Sequence, residues 1–315
     1  MRRYTNLFLK SLILFLSFGV TVTRASSDFS GNFLELGGGA RGIALGNSYV
    51  AISNDATSAY WNPSGLTSVT KKQLHLMHSE RFSGQVKHDF LAYSVPTSKA
   101  FNWGIGFLRI AVPDIAFTKL SNPSSNLSET NRPIITSTET SADHAIYVSG
   151  AKYLREKWSI GTSLKFIYRT IADYRAHGIG LDIGSQLFLR PNFKLGFILR
   201  DVTNTTIHWN TNADDNINPS LICAGSYTIH PFGGTTLLAA ATKLGGTKFK
   251  GSGIFPFSIS IEHSHSVMAM RFSSENNQKN FGIGFEPYHL KTVDITYTQH
   301  QELDSTYQLS ANISF

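Results

Sequence analysis

Ser305–Phe315, STYQLSANISF, decides the fold. Tyr307, Leu309, Ala311, Ile313 and Phe315 fall on one side, and Thr306, Gln308, Ser310, Asn312 and Ser314 on the other. A strict two-residue period with one apolar and one polar face is the pattern of a β-strand. The strand runs to the final residue and ends in an aromatic side chain.

The same logic repeats upstream. From Lys72 onward the chain divides into fourteen alternating segments at about 72–82, 86–96, 101–112, 141–153, 157–170, 175–190, 193–202, 218–230, 235–243, 255–263, 266–273, 279–286, 290–299 and 305–315. The clearest are 157–170, where Trp158, Ile160, Leu164, Phe166 and Tyr168 alternate with Ser159, Gly161, Ser163, Lys165 and Arg169, and 175–190, where apolar Ile179, Leu181 and Ile183 alternate with Gly180, Asp182 and Gly184. Alternation alone also describes a soluble sandwich, so the connections carry the distinction. Those after even-numbered segments are tight: Thr97–Ala100, Leu154–Glu156, Pro191–Asn192, Pro231–Gly234, Ser264–His265 and Pro287–His289. Three after odd-numbered segments are long: Pro113–Thr140, Thr203–Ile217 and Leu244–Ile254, with Ser83–Gln85 a short exception. Long loops at one end and tight turns at the other are the outer-membrane barrel pattern. Aromatic residues near segment ends, such as Trp103, Tyr153, Trp158, Tyr168 and Tyr227, fit interfacial girdles.

Composition narrows the classes further. Hydrophobic residues make up 41%, and no window after the N-terminus holds the ~20 apolar residues a membrane helix needs. With 26 Gly, 22 Phe and 12 Tyr but only 16% charged residues, the balance favours a β-protein. The formal charge of +7 comes without a basic cluster interleaved with aromatics, which argues against nucleic acid. The lone Cys223 has no disulfide or zinc partner set. Arg2, Arg3 and Lys10, the apolar run Ser11–Val22 and Thr23-Arg24-Ala25 read as a secretory signal over 1–26, with cleavage near Ala25–Ser26. Residues 27–70 are then a small-residue segment with little strand pattern, and 71–315 a barrel domain.

Gly39–Leu66, GARGIALGNSYVAISNDATSAYWNPSGL, resembles the N-terminal signature of the PorV/PorQ family of outer-membrane barrels and, more loosely, that of FadL-like long-chain fatty-acid transporters. Asp55-Ala56 and Tyr60-Trp61-Asn62-Pro63 carry the match, with Ser64 standing where Ala is usual. GLDIGSQLFL (180–189) and Asn280–Gly284 resemble later glycine-rich strands of the family. The resemblance implies a 14-stranded antiparallel transmembrane β-barrel whose N-terminal segment forms a lumenal hatch. It implies passive transport of hydrophobic small molecules across the outer membrane of a Gram-negative cell, with a type IX secretion scaffold or cargo shuttle as the alternative. The implied partners are outer-membrane lipid, a hydrophobic ligand, secretion-system proteins, and an assembly machinery that reads the last strand through Phe315.

Within that frame the candidate gating residues are Gly38, Gly39, Arg41, Asp55, Asn62, Pro63 and Gly65. Asn62-Pro63-Ser64-Gly65 is a turn signal, open to reading as a hinge or as a fixed turn. Lys165, Arg169, Asp182 and Arg200, with Arg190, Lys194 and Asp294, fall on inward polar positions, where charges either recognise a ligand headgroup or pair with one another. Arg41 is expected to hold a carboxylate ligand or to anchor the segment to lumen acids such as Asp182. His263 and His265 are separated by a predicted turn, and His75, His78 and His88 are scattered, so no metal or other cofactor is expected. No Gly-x-Ser-x-Gly elbow or fixed-spacing acid pair points to an enzyme.

Overall fold

The computed structural model describes residues 30–97, 101–246, 256–275, 278–286, 292–301 and 304–315. The expected signal segment lies outside them, as does much of the expected loop Leu244–Ile254. The first half of the sheet comprises β1 (Gln73–Arg81), β2 (Val86–Pro96), β3 (Phe101–Leu120), β4 (Pro133–Arg155), β5 (Trp158–Ile171), β6 (Tyr174–Arg190) and β7 (Phe193–Arg200). A short hairpin, β8 (Thr205–Trp209) and β9 (Asp214–Ile217), precedes β10 (Ser220–Ile229), β11 (Thr235–Gly245) and β12 (Phe257–His265). The chain closes with β13 (Met268–Glu275), β14 (Gln278–Phe285), β15 (Thr292–Gln299) and β16 (Thr306–Ser314).

Consecutive strands pair antiparallel, β7 passes directly to β10, and β1 pairs with β16 from Gln73↔Ser314 to Glu80↔Tyr307. With β8 and β9 set aside, fourteen strands form a closed antiparallel barrel. Closure leaves no free edge around the wall, which is the condition for a sheet to cross a membrane.

The last strand shows which way the faces point. Leu309 is 54% exposed while its neighbour Ser310 is 2% exposed. Polar residues therefore point in and apolar residues out, the reverse of a soluble barrel. The outward face carries Leu76, Ile105, Ile146, Leu164, Ile259, Ile283 and Ile295, all exposed in the isolated chain. The inward face carries Ser163, Lys165, Asp182, Gln186, Ser273, Thr296 and Gln308, all buried.

Burial of the inward polar side chains requires something in the lumen, and residues 30–69 supply it. This segment consists of short helical turns: Asn32–Glu35, α1 (Ala40–Leu45), Gly46–Ala51, α2 (Ser58–Trp61) and Pro63–Ser68. Ala44, Leu45, Tyr49, Val50, Ala56 and Leu66 are fully buried.

Three connections differ from the sequence expectation. Pro113–Thr140 is not a loop: β3 and β4 continue past the ends of β2 and β5 as a two-stranded ribbon, paired out to Leu120↔Pro133 with register shifts at Val112/Ile115 and Phe117/Thr118. Both faces of the ribbon meet solvent, so neither strand keeps a buried apolar face, and its β4 half is Ser/Thr-rich. Thr203–Ile217 contains the β8–β9 hairpin, which pairs with the upper part of β6 above the end of β7. The turn expected at Ser264–His265 falls after β12 instead, because that strand runs through His265.

The inverted faces give a direct prediction. Ile295 lies between Ile283 and Leu309 in the outward row. Ile295→Arg should lower the unfolding free energy by about 2–4 kcal/mol in equilibrium unfolding from lipid vesicles. Thr296→Ser, on the inward face, should change it by less than about 1 kcal/mol.

Candidate functional site

The lumen is the candidate site, and its wall is built to receive the N-terminal backbone. Asn102 Nδ2 donates to the carbonyls of Leu66 (2.7 Å) and Val69 (2.9 Å). Ser163 Oγ donates to Ala59 O at 2.8 Å, and Thr296 Oγ1 to Ala40 O at 2.7 Å. Gln186 Nε2 donates to Val50 O at 3.2 Å and to Ser53 O at 3.1 Å. Short helices leave many carbonyls unpaired, and here the wall side chains satisfy several of them.

Glycines set the approach distance. Gly161 on β5 and Gly184 on β6 are direct register partners facing inward. A Cβ at Gly161 would collide with the Pro63 carbonyl group and Ser64 N, and one at Gly184 with Asn62 Oδ1. The turn Asn62–Gly65 therefore lies flat on bare backbone. Asn62 fixes it from both ends of its amide: Nδ2 donates to Val50 O at 2.8 Å, while Oδ1 accepts from Ser64 N at 3.2 Å and Ser64 Oγ at 2.7 Å. Pro63 opens the following helical turn, and a Cβ at Gly65 would strike Ser53 O.

The other gating candidates are equally engaged. Asp55 accepts from Thr57 N at 2.9 Å and from Tyr49 Oη at 3.1 Å. Burial, and then the Asp55 carboxylate, push the Tyr49 phenol well above its ordinary range, so it remains a neutral donor. Gly38 O accepts from Trp61 Nε1 at 2.6 Å, and Gly39 precedes α1 at φ +85°, backbone that favours glycine. Tyr60 packs edge-on against Trp61, Phe90 and Tyr147 at centroid distances of 5.2, 5.8 and 5.5 Å. An aromatic core thus joins the segment to β2 and β4.

Arg41 does anchor the segment to lumen acids, but not to Asp182. Its Nε and Nη2 donate to Glu262 on β12 at 2.9 and 2.8 Å, and Nη1 to Asn54 at 3.0 Å. Arg271 on β13 then donates Nε to Glu262 at 2.5 Å and Nη1 to Asp294 on β15 at 2.6 Å. The resulting chain, Arg41–Glu262–Arg271–Asp294, alternates in sign and balances to zero.

The second cluster lies toward the loop end of β5, β6 and β7. Lys165 Nζ sits 3.2 Å from Asp182 and 2.7 Å from Asp201, and Asp201 N donates to Asp182 at 2.8 Å. Arg200 lies over the Tyr60 ring at 5.1 Å. These groups line a small recess open to solvent at its mouth, with Leu34, Glu35 and Tyr147 among the other walls. Its opposite rim is Asn216–Asn218, continuous with β9. Lys165, Asp182 and Arg200 therefore meet in one place. Arg169 does not join them: it is held by Asp143 at 2.7 and 3.0 Å, donates to Ser30 O at 3.2 Å and covers Phe33 at 5.1 Å. Arg190 is exposed at the far end of β6 and lines nothing in the lumen.

Asp201, Asp143, Arg271, Tyr60 and Tyr147 are site residues the sequence pattern did not single out as lumen-lining. His263 and His265 share a face, since no turn separates them, but His263 Nδ1 is hydrogen-bonded to Thr236 Oγ1 at 2.7 Å.

No protein-family model matches the chain, and no curated protein sequence matches it. Solved structures do. The Ralstonia pickettii toluene transporter TbuX aligns at a TM-score of 0.57 with 12% identity, over 90% of this chain and 99% of that one. The fold is FadL-like. The monoaromatic hydrocarbon channel CymD gives 0.54 at 13% identity, covering 89% of this chain and 98% of that one. A Pseudomonas aeruginosa FadL homologue gives 0.53 at 10% identity, over 90% and 98% respectively. At such identities the FadL-like likeness is one of architecture.

The charge chain yields a test. Glu262→Gln leaves Arg41 and Arg271 facing one another without their shared carboxylate. The substitution should cost about 3–5 kcal/mol in equilibrium unfolding.

Proposed function

We propose that this chain is an outer-membrane channel that passes hydrophobic or amphipathic small molecules, with residues 27–70 acting as a hatch inside a barrel spanning 71–315. In this reading a signal segment over 1–26 is removed near Ala25–Ser26. The observation that carries it is the loop-end recess: one wall is the barrel and the other, through Leu34, Glu35 and Tyr60, is the segment that fills the lumen. A molecule entering from outside meets a mixed aromatic and charged surface, and the segment lies between it and the periplasmic end. Mutual pairing of Lys165 with Asp182 and Asp201 makes the recess a poor trap for a simple ion and suits a solute with a small polar group on an apolar body. The FadL-like fold is shared with hydrocarbon channels, which supports transport over catalysis.

A second reading, closer to the PorV/PorQ resemblance, is a secretion-associated scaffold. It is favoured by the tight filling of the lumen and by the β3–β4 ribbon, whose Phe117, Leu127, Ile134 and Ile135 are exposed beyond the barrel wall.

A disulfide lock separates the two. Ala59 on the segment and Gly106 on β3 face each other across the segment–wall boundary, where a Cβ at Gly106 would lie 3.7 Å from Ala59 Cβ, the spacing a disulfide needs. In a Cys223→Ser background, the Ala59→Cys/Gly106→Cys pair should stop uptake of labelled toluene and of a labelled fatty acid into proteoliposomes when oxidised. Reduction should restore it. Uptake that is undiminished in the locked form contradicts a moving hatch, and absence of uptake in the reduced and parent forms favours the scaffold.

A further inference from the structure

The strand register brings together three side chains that the sequence keeps far apart. His177 on β6 is the direct cross-strand partner of His208 on β8, and His208 is the direct partner of Asp214 on β9. All three are exposed. They form one row on the outer face, at the loop end of the barrel.

The row has the chemistry of a metal site. The two imidazole rings lie 5.9 Å apart, centroid to centroid, with 47° between their planes. Two imidazoles bound to one metal at about 2.0–2.1 Å per nitrogen place their ring centres roughly 5 Å apart, so a small closure of two exposed side chains suffices. His208 Nδ1 is hydrogen-bonded to Asp214 Oδ1 at 2.7 Å. A carboxylate on one ring nitrogen fixes the tautomer and leaves Nε2 free to ligate, the usual outer-shell arrangement behind a metal-bound histidine. Among the described residues no three His, Cys, Asp or Glu side chains already converge on one point. The site accordingly takes two protein ligands, with solvent completing the shell.

We propose that His177 and His208, with Asp214 as the orienting carboxylate, bind a divalent transition metal of the copper–nickel–zinc class and thereby tie the β8–β9 hairpin to the barrel rim. The hairpin matters because of its other face. Ile207 is fully buried, and a Cβ at Gly31 would meet Ile217 Cγ2 at 2.9 Å, so the hairpin rests on the start of the lumenal segment. Asn216–Asn218 form the outer rim of the recess. A metal bridging β6 to β8 stiffens that rim. This inference stands apart from the transport reading, because metal binding is measured without any flux.

The test is titration of the untagged protein in detergent with Cu²⁺, Ni²⁺ and Zn²⁺, read by calorimetry and, for Cu²⁺, by electron paramagnetic resonance. One saturable equivalent is expected, tightest for Cu²⁺, with two imidazole nitrogens in the copper spectrum. His177→Ala and His208→Ala should each leave a one-nitrogen spectrum and abolish the saturable site. Asp214→Asn should weaken binding by about tenfold or more while keeping both nitrogens. His78→Ala, which removes another outward His–Asp pair held at 2.7 Å, should change nothing. Heat-modifiable migration on gels checks that each variant remains a folded barrel. Absence of saturable binding in the wild type overturns the proposal, as does a two-nitrogen spectrum that survives either histidine substitution.

Discussion

Much of this structure depends on Arg41 meeting Glu262. Hydrocarbon outside the wall takes up the apolar face of every strand, so the polar face must be satisfied from within. Glu262 is 8% exposed and Arg271 6% exposed, both within the wall. Without Arg41 the wall holds two carboxylates, Glu262 and Asp294, against one guanidinium. The N-terminal segment supplies the missing cation. It also brings the backbone carbonyls that Asn102, Ser163, Gln186 and Thr296 bind. Segment and wall are each other's solvent, and neither has a satisfied interior alone.

That mutual dependence accounts for the glycine placement. Glycines at Gly161 and Gly184 leave no side chain between the wall and the Asn62–Gly65 turn. The same closeness separates two layers of the lumen. At depth, Asp55, Asn62 and the aromatic set around Tyr60 make a dense fill in which Asp55 and Asn62 are held by several hydrogen bonds each. Toward the loops the fill thins into the recess around Lys165, Asp182 and Arg200.

The barrel was legible in the sequence because a two-residue period is a local property that the membrane enforces on every strand. STYQLSANISF and the 157–170 segment each show it without reference to any partner. The ribbon beyond Ala111 was not legible, since wet faces on both sides remove the period and its Ser/Thr-rich β4 half resembles a loop. The inward position of Lys165, Asp182 and Arg200 followed from the alternation. Their partners did not, because pairing across a closed barrel joins residues by register and not by sequence distance: Arg41 and Glu262 are 221 positions apart. Asp201 falls in the expected segment 193–202 on the outward parity, but β7 ends at Arg200 and the turn that follows carries Asp201 inward to Lys165. The His177–His208–Asp214 row was hidden for the same reason as the ion pairs.

Conductance across a planar bilayer tests the central claim most directly, namely that residues 30–69 are what closes the lumen. The account predicts that the intact protein shows no steady conductance, and that a variant lacking residues 30–69 shows large, stable steps. Comparable steps from the intact protein would contradict it.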